Sequence, residues 1–117
     1  MQDYRKLRIW LLAKELTKNI YELTKTFPTE EKYGLTSQMR RCAVSVPSNI
    51  AEGAGRNGNK EFNNFLGITM GSLFELDMQV ELSYNFRFMQ VENYNEILEK
   101  ITQLKKMIFL FQKKLNT

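Results

Sequence analysis

The stretch Arg40-Arg41-Cys42-Ala43-Val44-Ser45-Val46-Pro47-Ser48-Asn49-Ile50-Ala51-Glu52-Gly53 decides how the rest of the chain is read. Met39 just ahead of it, then Cys42, Val46 and Ile50, return every three or four residues, the period of a helix with one buried face. A proline stands inside that stripe. Pro47 lacks an N–H and its ring crowds the preceding turn, so the sequence predicts either a kink or a stop and restart capped by Ser48. Gly53, Gly55 and Gly58 close the element and open a loop. On the N-terminal side, Thr36 is suited to cap the helix through its hydroxyl, with Leu35 just before the cap.

Outward from this element the chain reads as three more helices. Met1 to Arg5 is polar and frays or caps the first. From Leu7, the positions Ile9, Ala13, Leu16, Ile20, Leu23 and Phe27 are spaced four, three, four, three and four. Phe27-Pro28 stops that helix, because a residue before proline is pushed out of the helical region. Thr29 to Gly34 is a polar connection. A third helix is expected from Gly58 or Asn59 to about Tyr84 or Phe88, with Phe62, Leu66, Thr69, Leu73, Leu76 and Val80 on its core stripe. Gly67, Gly71 and Ser72 are small residues at helical spacing. Each helix-interior glycine costs about 1 kcal/mol relative to alanine, which suggests a close helix–helix approach there. After a turn around Met89 to Asn93, Tyr94, Ile97, Ile101, Leu104, Ile108, Phe111 and Leu115 repeat at three and four. Short loops favour antiparallel neighbours. The expectation is all-α, one domain over residues 1–117, an up-down-up-down four-helix bundle with a proline-kinked second helix.

Composition narrows the chemistry. The chain has 117 residues, no histidine and one cysteine. Histidine-dependent triads, most zinc sites, the commonest neutral-pH base and ribonucleases built on an Arg–His pair are thereby removed. No catalytic residue, metal ligand or cofactor is expected, so the reading is not an enzyme. A single cysteine fits a reducing compartment, and no run approaches the roughly 18 apolar residues a membrane helix needs. The expected location is cytoplasmic, without a membrane partner. The net charge is +4, which points weakly to RNA or DNA.

Several blocks resemble the four-helix bundle family named after the 23S rRNA intervening sequence protein. They are Tyr4-Arg5-Lys6-Leu7 with Trp10, Tyr33-Gly34-Leu35-Thr36-Ser37-Gln38, Arg40-Arg41, Val46 to Gly53, Lys60-Glu61-Phe62 and Gly71-Ser72-Leu73-Phe74-Glu75-Leu76. The last helix is similar in character only. The resemblance implies a bacterial protein that assembles as a ring-like homopentamer, in a family many of whose members are encoded within insertions in 23S rRNA genes. A related branch, the accessory protein of diversity-generating retroelements, works with a reverse transcriptase and RNA.

The candidate nucleic-acid contacts are Arg40, Arg41, Arg56, Lys60, Lys105, Lys106, Lys113 and Lys114. For the arginine pair the structural alternative is pairing with Glu52, Glu75 or a neighbouring subunit. For the lysines it is a solvated helix end. Pro47, Ser48, Asn49, Glu52 and Gly53 form a structural motif, in which Asn49 and Glu52 are expected to satisfy carbonyls freed by the proline. Asp77 and Glu81 read as a like-charge pair one turn apart on a solvated or intersubunit face. Cys42 reads as a small buried hydrophobe. Trp10, Tyr21 and Phe65 lie off the main stripes and suit an oligomer interface. The function expected is a non-enzymatic homo-oligomer that binds nucleic acid. The alternative is a protein-interaction adaptor, and the partners are a second copy, RNA or DNA, or another protein.

Overall fold

The computed structural model describes residues 1–117 and contains four α-helices with no strand. They are α1 (Arg8–Thr24), α2 (Leu35–Ala54), α3 (Asn59–Asn85) and α4 (Val91–Leu115), with short 3-10 turns at Tyr4–Lys6 and Thr29–Glu31. The molecule is a rod of 44 × 23 × 20 Å. One apolar cluster runs along its axis. It includes Ile9, Leu16 and Ile20 of α1, Met39, Val46 and Ile50 of α2, Leu66, Leu73 and Val80 of α3, and Ile101, Leu104 and Ile108 of α4.

Contacts at the two ends show how the helices are laid against one another. The N–H of Gln2 donates to Ala54 O at 2.8 Å, and Asn59 Nδ2 donates to Leu115 O at 3.4 Å. The starts of α1 and α3 therefore lie with the ends of α2 and α4. At the other end, Arg40 of α2 reaches Thr24 of α1, and the Phe27 and Phe88 rings meet 5.5 Å apart.

Helix α2 is continuous through Pro47, which corrects the stop-and-restart alternative. The proline deprives Ala43 O, four residues back, of its helical donor. Thr17 of α1 stands in for it, its Oγ1 lying 3.1 Å from Ala43 O and 2.9 Å from Ala13 O. Asn49 was expected in that role. It bonds Ser45 O instead at 2.8 Å, and Glu52 pairs with Arg56 at 3.4 Å. Ser48 is exposed.

The helix termini differ from expectation in informative ways. Thr36 is buried in the first turn of α2, so it cannot be the cap, and Glu31 Oε1 accepts the Leu35 N–H at 3.0 Å. Gly53 lies inside α2 and is buried. A Cβ there would stand 2.7 Å from Phe65 Cβ and 2.9 Å from Phe62 Cδ1, so this glycine is where α2 and α3 approach closely. At Gly67 and Gly71 a Cβ would meet nothing within 4 Å, so no neighbour within the chain requires them. Helix α3 ends with Phe88 N–H bonded to Ser83 O and Arg87 N–H to Tyr84 O, both 2.9 Å. Arg87 takes φ 65° to make this turn, the conformation glycine usually supplies after a helix.

Candidate nucleic-acid interface

The ends of the rod differ in charge because of which helix termini meet there. Arg5, Lys6, Arg8, Arg56, Lys60, Lys113 and Lys114 sit at the end where α1 and α3 start, against Asp3, Glu52 and Glu61. Glu22, Glu30, Glu31, Glu92 and Glu96 sit toward the other, against Lys25, Lys32, Arg40 and Arg87. Of the cations at the first end, only Arg56 has a carboxylate within salt-bridge distance. Lys113 and Lys114 also complement the negative end of the α4 dipole.

Between the start of α1 and the end of α4 lies a groove of about 640 Å³. Leu7, Ile9, Met107, Leu110 and Phe111 line its floor, and Lys6, Arg8, Lys113 and Lys114 its rim. Lys6, Arg8 and Leu110 were not among the sequence candidates. The signal that finds them is topological, since the first turn of α1 becomes informative only once it lies beside the last turn of α4.

The other candidates separate. Arg40 is committed to the bundle: its Nε donates to Thr24 Oγ1 at 2.9 Å, one terminal nitrogen donates to Tyr21 O at 3.3 Å, and the guanidinium covers the Tyr21 ring at 4.7 Å. Lys105 donates to Asp77 Oδ2 at 2.7 Å and lies 3.9 Å above the Phe74 ring. That pairing sets a cation beside the like-charge pair that Asp77 and Glu81 make one turn apart. Glu81 accepts a short hydrogen bond from the Tyr94 hydroxyl, and that bond together with the carboxylate's charge pushes the phenol up to about 12. Lys106 is exposed on the outer side of α4.

Arg41 lines a second, polar groove of about 540 Å³ between α2 and α3, with Tyr33, Ser37, Gln38, Ser45, Ser72 and Glu75. Neither arginine of the pair forms a salt bridge with Glu52 or Glu75. Cys42 forms part of this groove. Its thiol donates to Ser72 O at 3.1 Å, while Ser45 and Ser72 join hydroxyls at 2.7 Å across the helix pair. Burial, then the nearby Glu75 carboxylate, pushes the Cys42 thiol up to about 12, so it stays protonated and is a poor nucleophile. No three His, Cys, Asp or Glu side chains are placed to hold a metal ion. No helix is long and apolar enough to cross a membrane.

The residues expected at an oligomer interface are only partly open. Trp10 is half-buried, with Tyr4 edge-on at 4.8 Å, and Phe65 is half-buried under Arg56 at 4.9 Å. Tyr21 is 40% exposed beneath Arg40. The larger exposed apolar surface lies on α3, where Ile68, Phe74, Met78, Leu82 and Phe86 point away from the core. Gly67, Gly71, Phe74, Met78, Leu82 and Phe86 recur every three or four residues, with Ile68 at their edge, a second stripe roughly opposite the buried one.

The chain matches none of the curated proteins. Among solved structures it is similar to the crystal structure of a protein with unknown function from the S23 ribosomal protein family of Bacteroides thetaiotaomicron. The TM-score is 0.81 at 20% identity, over 90% of this chain and 98% of that one, a likeness of fold. The family model described as 23S rRNA-intervening sequence protein matches residues 5–109, nearly the whole bundle, and the chain belongs to that family.

Proposed function

We propose that the protein is a non-enzymatic homo-oligomer, pentameric as its family resemblance implies, that binds nucleic acid through the basic end of the rod. The observation that carries this reading is the gathering of Lys6, Arg8, Lys60, Lys113 and Lys114 at one end, none of them neutralised by a carboxylate. Unpaired cations clustered on one surface favour a polyanion, and phosphate contacts supply most of such affinity. Self-association draws support from the α3 stripe, because apolar side chains open to water along several turns gain free energy when a second surface covers them.

Two measurements test the two halves separately. Binding of a labelled RNA should weaken steeply between about 50 and 200 mM salt, and removing one rim lysine should reduce the slope by about one. Salt-insensitive binding, or none at low salt, would refute the nucleic-acid half. Light scattering should give a multiple of the 13.8 kDa chain mass, and Met78→Lys should reduce it with helicity retained. A monomeric wild-type protein would refute the assembly half. The α3 stripe equally supports the adaptor reading, which a stoichiometric foreign protein co-purifying after nuclease treatment would favour.

A further inference from the structure

The groove at the basic end carries more apolar surface than phosphate binding needs. Leu110 is 60% exposed on its floor, and the Leu7, Met107 and Phe111 side chains are partly open beside it. A duplex presents phosphates outward and stacks its base faces inside, so it could engage the rim and leave this floor in water. A single strand offers charge and unstacked base faces together. Cation–aromatic pairs recur around the same end. Arg5 covers Tyr4 at 4.7 Å, Arg56 covers Phe65 at 4.9 Å and Lys113 covers Phe109 at 5.0 Å. Arg5 and Lys113 have no carboxylate partner, and exposed rings beside such cations are the kind of surface on which single strands stack.

We infer that this groove binds single-stranded nucleic acid, seating unpaired bases on Leu7, Leu110 and Phe111 while Lys6, Arg8, Lys113 and Lys114 hold the flanking phosphates. This rests on the nucleic-acid reading above and adds the strandedness of the ligand. The choice of occupant follows from charge complementarity: the rim carries no carboxylate, so a neutral apolar segment would leave four cations uncompensated.

The test is fluorescence anisotropy on the full chain with a labelled RNA of about 20 nucleotides, single-stranded and annealed to its complement, since single-strand sites span several nucleotides. The single strand should bind about tenfold tighter than the duplex, the scale of one or two stacked bases. Leu110→Ser removes exposed apolar surface without changing charge or touching the core. Losing the covered apolar area should weaken the single strand about five- to tenfold and the duplex less than about twofold. Lys114→Gln should weaken both forms by a similar factor, because a phosphate contact ignores strandedness. Equal affinity for the two forms, with Leu110→Ser inert, would overturn the inference and leave the nucleic-acid reading standing. Absence of salt-sensitive binding to either form would overturn both. An acidic amphipathic peptide whose binding depends on Leu110, when RNA binding does not, would assign the groove to a protein partner and also overturn it.

Discussion

Replacing Thr17 by valine removes one hydroxyl, keeps the side-chain shape and probes how α2 carries a proline in its interior. Thr17 Oγ1 lies 3.1 Å from Ala43 O, the carbonyl that Pro47 leaves without its helical donor, and Ala43 is 1% exposed. A shielded carbonyl left unsatisfied costs about 1–3 kcal/mol. Thr17 is only half-buried and water can reach part of the site, so the lower half of that range, about 1–2 kcal/mol, is expected. The one Thr17 O–H is shared with Ala13 O at 2.9 Å, and losing that share adds little because Ala13 O keeps its helical N–H partner. Pro47→Ala supplies the control. Alanine restores an N–H to Ala43 O, so in that background Thr17→Val should cost almost nothing. The coupling between the two sites should be about 1 kcal/mol. Urea unfolding followed by circular dichroism, at one fixed protein concentration so that assembly does not shift the baseline, measures all four corners of the cycle. Equal costs of Thr17→Val in both backgrounds, within about 0.3 kcal/mol, would refute the claim that α1 services the proline.

Gly53→Ala should destabilise by about 2 kcal/mol or more, since its Cβ would fall 2.7 Å from Phe65 Cβ, whereas Gly67→Ala should stabilise the isolated chain by about 0.5–1 kcal/mol. Paired melting curves decide between them, and like signs would refute the assignment of the close approach to Gly53. Arg87→Gly should be neutral or stabilising by up to about 1 kcal/mol, because φ 65° costs an arginine and not a glycine; a clear loss would mean the Arg87 side chain contributes more than its backbone costs. Cys42 should react with thiolate-directed reagents at pH 8 far more slowly in the folded than in the unfolded chain. Burial and then the Glu75 carboxylate push its thiol from the ordinary 9.0 up to about 12 in the folded chain. The folded state holds this proton more tightly, so the contribution to stability is complete below about pH 9 and is lost as pH rises toward 12. Native-state labelling at the rate of an ordinary thiol would refute it.

Helix number and the buried stripes were legible in the sequence because amphipathic periodicity is set by burial itself. Each core position expected on α3, from Phe62 through Leu66, Thr69, Leu73 and Leu76 to Val80, is buried. What the sequence could not show is which side chain serves another helix. The Asn49 side-chain amide, six residues from Ala43, looked suited to satisfy the carbonyl freed by the proline, yet the donor comes from Thr17, twenty-six residues from Ala43. The glycines misled for a related reason. Gly53 looked like a helix terminator and is a contact point, while Gly67 and Gly71 looked like contact points and have no neighbour within the chain. Propensity records that a glycine is tolerated, and only the packed neighbour tells why. Successive residues turn by about 100° on a helix, so the sequence already shows that the four α4 lysines do not all share a face, but not which of them meets another helix. Lys105 is spent on Asp77 and Phe74, leaving Lys113 and Lys114 to pair with the first turn of α1.

The two surfaces that lack a partner within the chain occupy different parts of the rod, and this constrains how they can act together. The α3 stripe runs lengthwise along one flank, whereas the unneutralised cations crowd one tip. A flank can be covered by side-by-side packing without blocking a tip. Copies joined through their flanks with the rods pointing the same way would bring several basic grooves into one plane, where linked weak sites reinforce one another on a single long ligand. The same geometry has an electrostatic cost, since like-charged tips brought together repel across a distance comparable to the Debye length, about 8–10 Å at physiological salt. A polyanion lying across the tips would relieve that repulsion. Assembly and nucleic-acid binding are therefore expected to be thermodynamically coupled, each strengthening the other by the same factor. In Met78→Lys, groove affinity measured with a strand too short to bridge two copies should be retained, while the gain on lengthening the strand should vanish. A wild-type protein whose affinity is indifferent to strand length would place the two surfaces in separate functions.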